Sequence, residues 1–169
     1  MNFPRILKKR KGYIDRIKPF MQKSVAKVLT GQRRVGKSFL LYQLIEEILA
    51  EEPDANIIYV NLEDFTFSSL QTAEDLHSYI ISHSKEKVKN YIFIDEIQDI
   101  PGFEKVIRSL LLNEDNDIYI TGSNAKMLSG ELATYLSGRY IEFKIYSLSY
   151  SEFLEFHGLT ESETSYELY

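Results

Sequence analysis

Short, nearly continuous apolar runs alternate along this chain with longer segments whose apolar residues recur every three to four positions. The runs at 25–30, 56–61, 91–94, 117–120 and 140–145 are rich in Val, Ile, Tyr and Phe and predict five strands. Tyr91-Ile92-Phe93-Ile94 is apolar almost throughout, as expected of a strand covered on both faces. Between the first two runs, Phe39, Leu41, Leu44, Ile45 and Ile48 predict a helix that Glu52-Pro53-Asp54 ends near Glu51. A second helix is expected over about 72–86. A third starts at Pro101 and carries Phe103, Val106, Ile107, Leu110 and Leu111 as its stripe. Ahead of the first strand, Tyr13, Ile17 and Phe20 share a face of a helix over about 12–22, which Pro19 shortens or kinks. Ser149-Tyr150-Ser151-Glu152 is a capping-box pattern opening a last helix with Phe153 and Phe156.

Strands alternating with helices predict an α/β fold with a mostly parallel sheet, helices on both faces and right-handed crossovers. Ligands of such sheets bind at the carboxyl ends of the strands. The chain divides into a basic helical segment at 1–23, an α/β core at 24–157 and a polar, acidic tail at 158–169.

One loop in this pattern carries chemistry. Gly31-Gln32-Arg33-Arg34-Val35-Gly36-Lys37-Ser38, followed by Phe39, matches G-x-x-x-x-G-K-[ST], the phosphate-cradling P-loop or Walker A motif. Its glycines let the backbone curl with N–H groups inward, Lys37 reaches β- and γ-phosphates, and the Ser38 hydroxyl is placed for Mg²⁺. Four fixed positions recur by chance in on the order of one chain in a hundred. The flanking strand and helix supply the required context, because a helix N-terminus favours a phosphate. The side chains of Arg33 and Arg34 occupy variable positions and suit partner or surface contacts.

Ile92-Phe93-Ile94-Asp95-Glu96 adds an apolar strand ending in two acids, the Walker B pattern. The first acid, Asp95, suits a Mg²⁺ held through water, and Glu96 suits orientation and deprotonation of an attacking water. The fourth strand ends in Thr121-Gly122-Ser123-Asn124. Ser123 or Asn124 fits a γ-phosphate-sensing position, and equally a turn or helix cap. Arg139, before the fifth strand, has three readings: a cation in its own site, a cation in a neighbouring subunit's site, or a surface ion pair.

Composition narrows the class. The 169 residues suffice for one domain with a proper core, and 44% hydrophobic and 27% charged residues are ordinary for a soluble protein. There is no cysteine, and His77, His83 and His157 lack zinc-ligand spacing, so disulfides and thiolate metal sites are excluded. With no membrane-length apolar run and no apolar signal core, a cytoplasmic protein is the expectation. Net charge is −5, but residues 1–40 hold twelve of the twenty basic residues and a single acid, Asp15. Lys27, Arg33, Arg34 and Lys37 lie in or beside the loop. The run Lys8-Lys9-Arg10-Lys11 reads either as a solvated terminus or as a contact for nucleic acid or an acidic partner.

On these residues the chain resembles the prokaryotic AAA-type ATPases whose P-loop reads G-x-R-R-x-G-K-[ST], full-length members of which often carry a C-terminal nuclease-like domain of unknown function. Residues 29–38 and Ile94-Asp95-Glu96-Ile97-Gln98 match, as do Thr121-Gly122-Ser123, Leu136-Ser137-Gly138-Arg139-Tyr140 and Leu148-Ser149-Tyr150-Ser151-Glu152-Phe153. The resemblance covers about residues 10–157. It implies a three-layer α/β/α P-loop NTPase core with strand order 5-1-4-3-2, ATP as nucleotide, Asp95 on Mg²⁺ and Glu96 as base. Ser147 departs from the family's usual proline. Because family members continue into further domains, the chain is expected to be an ATPase-domain fragment or a truncated product.

The leading expectation is therefore an ATPase domain that couples Mg·ATP hydrolysis to a conformational change in an unidentified protein client, with self-association possible. A nucleotide-gated switch with negligible hydrolysis is the alternative. A P-loop small-molecule kinase is disfavoured by the Glu directly after the magnesium Asp and by the lack of an arginine-rich lid. GTP is disfavoured because no Asn-Lys-x-Asp segment occurs.

Overall fold

A computed structural model of the chain describes residues 8–123, 134–136 and 138–169. Its five strands are β1 (Ala26–Thr30), β2 (Asn56–Asn61), β3 (Asn90–Asp95), β4 (Asn116–Gly122) and β5 (Tyr140–Lys144). They form one sheet in the order β2-β3-β4-β1-β5, which is 5-1-4-3-2 read from the other edge, and every pairing is parallel. Its helices, among the described residues, include α1 (Lys11–Ile17), α2 (Lys37–Glu51), α3 (Ala73–His83), α4 (Phe103–Leu110), α5 (Tyr150–His157) and α6 (Glu163–Glu167).

Side chains two apart on a strand share a face, so the strands sort into two cores. Val28, Ile92, Ile94, Ile118 and Ile120 pack with Leu76 and Ile80 of α3 and Val106, Ile107 and Leu110 of α4. Leu29, Tyr91, Phe93, Tyr119 and Phe143 pack with Ile14 and Ile17 of α1 and the Leu40–Ile48 stripe of α2. The result is a three-layer α/β/α sandwich. Phe93 and Tyr119 stack across neighbouring strands at 4.5 Å.

The shortening expected at Pro19 is seen, and two further features add to the sequence reading. Pro19 divides the first helix, leaving α1 and a 3₁₀ turn at Lys18–Phe20. α4 begins at Phe103 because Gly102, at φ 75°, ends the turn that Pro101 enters. The tail forms α6, capped by Ser162, whose side chain accepts the Ser165 N–H.

Lys27, four residues ahead of the loop, points into the α1–α2 core near the amino end of the sheet. It is fully buried, pairs with Asp117 of β4 and lies over the Tyr119 ring. Burial pushes its ammonium down, and Asp117 opposes that. It therefore belongs to the floor of the fold and not to the phosphate loop.

Candidate functional site

The loop after β1 folds as its glycines dictate. A Cβ on Gly31 would lie 2.2 Å from the Ile145 carbonyl oxygen, so only glycine lets the end of β5 approach the loop this closely. Gly36, at φ 92°, is the N-cap of α2 and supplies no side-chain cap. The first N–H groups of a 15-residue helix are thus left for an anion, where the helix dipole favours negative charge.

Lys37 is 3% exposed and its ammonium donates to the Gly31 and Gln32 carbonyls at 3.3 and 3.1 Å. It also sits 3.3 Å from Glu96 Oε1. β3 ends at Asp95, and Glu96 turns out of the sheet at φ 55°, ψ 48°, a left-handed conformation costly for a residue with a Cβ. Thr121 at the end of β4 holds this turn: its hydroxyl donates to Asp95 Oδ1 and accepts the Glu96 N–H. The other Asp95 oxygen accepts from the Tyr59 hydroxyl of β2 at 3.3 Å. Burial and the Asp95 charge push the Tyr59 phenol far up, so it stays a donor.

Glu96 Oε2 accepts the Gln98 amide at 2.7 Å and the Ser123 backbone N–H at 3.2 Å. Burial raises the Glu96 carboxyl, but Gln98, Lys37 and Ser123 together outweigh it and hold it below the ordinary carboxylate range. An ionised Glu96 thus stands opposite the ammonium of Lys37.

A cleft of about 470 Å³ joins these groups, lined by Arg33, Arg34, Gly36, Lys37, Ser38, Phe39, Glu63 and Glu96. Beyond Arg34, Gly36 and Phe39 it continues into a second cavity of about 640 Å³. Val35, Leu148, Phe153, Phe156 and Tyr169 give that cavity mostly apolar walls. A polyanion with a flat apolar group matches the two together. Gln32 is exposed, and Arg33 is exposed and pairs with Glu63 at 3.1 Å. Ser38 lines the cleft and Asp95 ends β3 next to Glu96, a hydroxyl and a carboxylate of the donor types that suit Mg²⁺. Mg²⁺ characteristically takes one or two protein oxygens and completes its shell with water and phosphate.

One candidate cation, and one candidate sensor, lie outside the cleft as described. Arg139 precedes β5, its carbonyl accepting the Ala26 N–H at the start of β1. The five residues of β1 separate its backbone from the loop by roughly 16 Å, so it stands at the opposite end of β1 from the loop. It lines a pocket of about 170 Å³ with Arg108, Leu112 and Tyr135. Ser123 reaches the site through its backbone, and Asn124 lies outside the described residues.

Arg10 is the larger surprise. In place of a solvated or nucleic-acid-facing terminus, it is 4% exposed and forms a bidentate pair with Glu152 of α5 at 2.9 and 3.0 Å. It also donates to the carbonyls of Val35 in the loop and of Tyr146 and Ser147 before α5. Its neighbours are engaged too, Lys9 with Glu47 and Lys8 with the Glu155 and Phe156 carbonyls. The basic run is thus largely used within the chain, tying the loop and α5 together as walls of the apolar cavity.

Arg10→Ala is expected to destabilise the fold by about 1–3 kcal/mol, because it removes the partner of a partly exposed carboxylate and of three carbonyls. Arg10 and the Ser149 N–H hold the Glu152 carboxyl low against its burial. The pair's contribution is therefore complete above the unfolded carboxyl pKa of about 4.3 and is lost as pH falls through the lower folded value. Thermal melts from pH 3 to 7 should converge for wild type and variant at the acid end. Parallel curves would dismiss the pair.

With the geometry in place, the comparisons agree. The AAA domain family matches residues 23–154. An uncharacterised Haemophilus influenzae protein is 44% identical over 152 residues, covering 86% of this chain and 37% of its own. One from Methanocaldococcus jannaschii is 37% identical over 131 residues, covering 77% and 28% respectively. The chain thus spans about a third of the length of these relatives. Among solved structures, AMPPCP-bound DnaA from Aquifex aeolicus is similar at TM-score 0.54 and 15% identity, covering 94% of this chain and 55% of that one. C. elegans PCH-2 is similar at TM-score 0.59 and 14% identity, covering 85% and 44%. At these identities the likeness concerns the fold.

Proposed function

The chain belongs to the AAA domain family, and from that premise we propose that it binds Mg·ATP and hydrolyses it to drive or gate a conformational change. The observation that carries this is the meeting of Lys37 and Glu96 in one cleft at the uncapped N-terminus of α2. Lys37 and the loop N–H groups bind the β- and γ-phosphates, and Phe39 with the apolar cavity takes the base and ribose. Ser38 and Asp95 hold Mg²⁺, which when bound neutralises charge on the phosphates. Glu96, already ionised, orients the attacking water and takes its proton. Support from the fold family includes the AMPPCP bound to DnaA. An assay of released phosphate, with and without an acceptor, tests the reading. Phosphate released with no acceptor is the expected result, and release only with an acceptor would indicate a kinase.

One observation favours slow hydrolysis and hence a switch: among the described residues, no arginine of the Walker B side faces the cleft, and Arg139 is far from it. We assign Arg139 to a neighbouring copy's site, which makes self-association part of turnover. Specific activity should then rise with protein concentration, and Arg139→Ala should lower it roughly tenfold, short of the 10³–10⁵ seen for a fully engaged arginine. Adding the variant to wild type should give a non-proportional loss. Turnover unchanged in Arg139→Ala would return the residue to a surface role. The client of the motion, in the cytoplasm or elsewhere, is taken to be another protein. Among the described residues no helix is long and apolar enough to cross a membrane.

A further inference from the structure

Gln98 stands out among the groups that the reaction outlined above leaves without a task. It lies in the 3₁₀ turn Ile97–Asp99 directly after the Glu96 turn. Its amide nitrogen donates both hydrogens to carboxylates, to Glu96 Oε2 at 2.7 Å and to Asp99 Oδ1 at 3.4 Å. That fixes the orientation of the amide, because the reverse would set its oxygen against two anions. The carbonyl Oε1 is then buried, and among the described residues it has no hydrogen-bond partner. A buried acceptor left unpaired costs free energy, and sites where one persists tend to be sites where a ligand completes it.

The neighbouring carboxylate explains what would complete it. Glu96 Oε2 is fully used by Gln98 and the Ser123 N–H, while Oε1, among the described residues, faces Lys37. Drawing Lys37 onto phosphates frees Oε1 as an acceptor. The two open acceptors, Glu96 Oε1 and Gln98 Oε1, then belong to side chains already locked together by one hydrogen bond. A water molecule has two hydrogens to give to them.

We infer that Gln98 is a positioning residue: its buried carbonyl oxygen and Glu96 Oε1 together hold the attacking water. The inference rests on the ATPase reading. In the step served, the water oxygen bonds to the γ-phosphorus while the bond to the bridging oxygen breaks. The electron pair leaves on ADP, and the proton passes to Glu96. Gln98 takes no proton. It removes the water's freedom to turn, which is the entropic part of such a step, and its amide, bonded to Oε2, holds the Glu96 carboxylate in place.

Gln98→Met keeps the stem and volume and removes both functions. ADP with aluminium fluoride and Mg²⁺, a mimic of the transferring phosphoryl group with its in-line water, reports the held water without needing turnover. Wild type should release ADP far more slowly once fluoride is added. In Gln98→Met that gain should shrink by roughly 10- to 100-fold, with ADP affinity within about twofold of wild type. Where turnover is measurable, kcat should fall with KM little changed. A wild-type gain retained by Gln98→Met overturns the inference, as does a wild type that binds ADP through Lys37 yet gains nothing from fluoride. ADP binding indifferent to Lys37→Met instead overturns the ATPase reading beneath it.

Discussion

Lys37→Met is expected to abolish ATP turnover and to weaken triphosphate binding by roughly 30- to 1000-fold, the equivalent of about 2–4 kcal/mol for losing a buried cation from an anion. Methionine is preferable to alanine because Lys37 is buried and its stem packs at the head of α2. The ammonium makes three contacts without nucleotide: the Gly31 and Gln32 carbonyls and Glu96. Lys37 and Glu96 both line the cleft, so the cation is already where phosphate oxygens would arrive. The remaining binding in the variant would come from the N–H groups of α2 and from the apolar cavity. Selectivity should therefore change as well as affinity. The variant should lose most of the preference for triphosphate over monophosphate, since the base contacts are untouched. Titration calorimetry with ATP and AMP on the folded variant measures this. Unaltered triphosphate affinity would place the nucleotide elsewhere.

The parts of this site written in consecutive residues were legible before the fold was known. Gly31 to Ser38 and Ile92 to Glu96 each form one local structure, and a strand tip followed by acids has one direction to point. The strands were placed to within a residue or two because each is a short apolar run bounded by breaks, as at β2 and β3. Strand order came from resemblance and not from pattern, since nothing in the periodicity says that β4 lies between β1 and β3. Arg10 was hidden for a physical reason. A cation in a basic run looks solvated until its partner is seen, and Glu152 is 142 residues away. The three readings of Arg139 stayed open in the sequence because its distance from the loop is set by the register of β1 on β5. In the sequence, Gln98 is only the last residue of the segment Ile94-Asp95-Glu96-Ile97-Gln98. Its orientation is fixed by Glu96 and Asp99 together, and only the left-handed turn at Glu96 brings the three into contact.

Glu96→Gln and Asp95→Asn should separate the two acids. With Glu96→Gln, hydrolysis should fall by roughly 10²–10⁴, the value of a positioned proton acceptor, while ATP binding should persist or tighten. Tightening follows from the ion pair: Glu96 competes with phosphate for Lys37 at 3.3 Å, and glutamine removes the competing charge. The glutamine oxygen can still accept from Gln98 and the Ser123 N–H, so the left-handed turn should survive. Asp95→Asn acts at the other acid. Asp95 is 1% exposed and held by Thr121 and Tyr59, with no contact to Lys37 given by its geometry. Its loss should not relieve any competition at the ammonium. It should instead remove the Mg²⁺ dependence of nucleotide binding, so that affinities measured with Mg²⁺ and with a chelator become equal. The two variants thus differ in sign at binding: one gains or holds affinity with Mg²⁺ dependence intact, and the other loses that dependence. Direct titration of a fluorescent ATP analogue, with and without Mg²⁺, reads both. Identical behaviour of the two would mean that the adjacent acids share one role, and the division of labour assigned to Asp95 and Glu96 would fall.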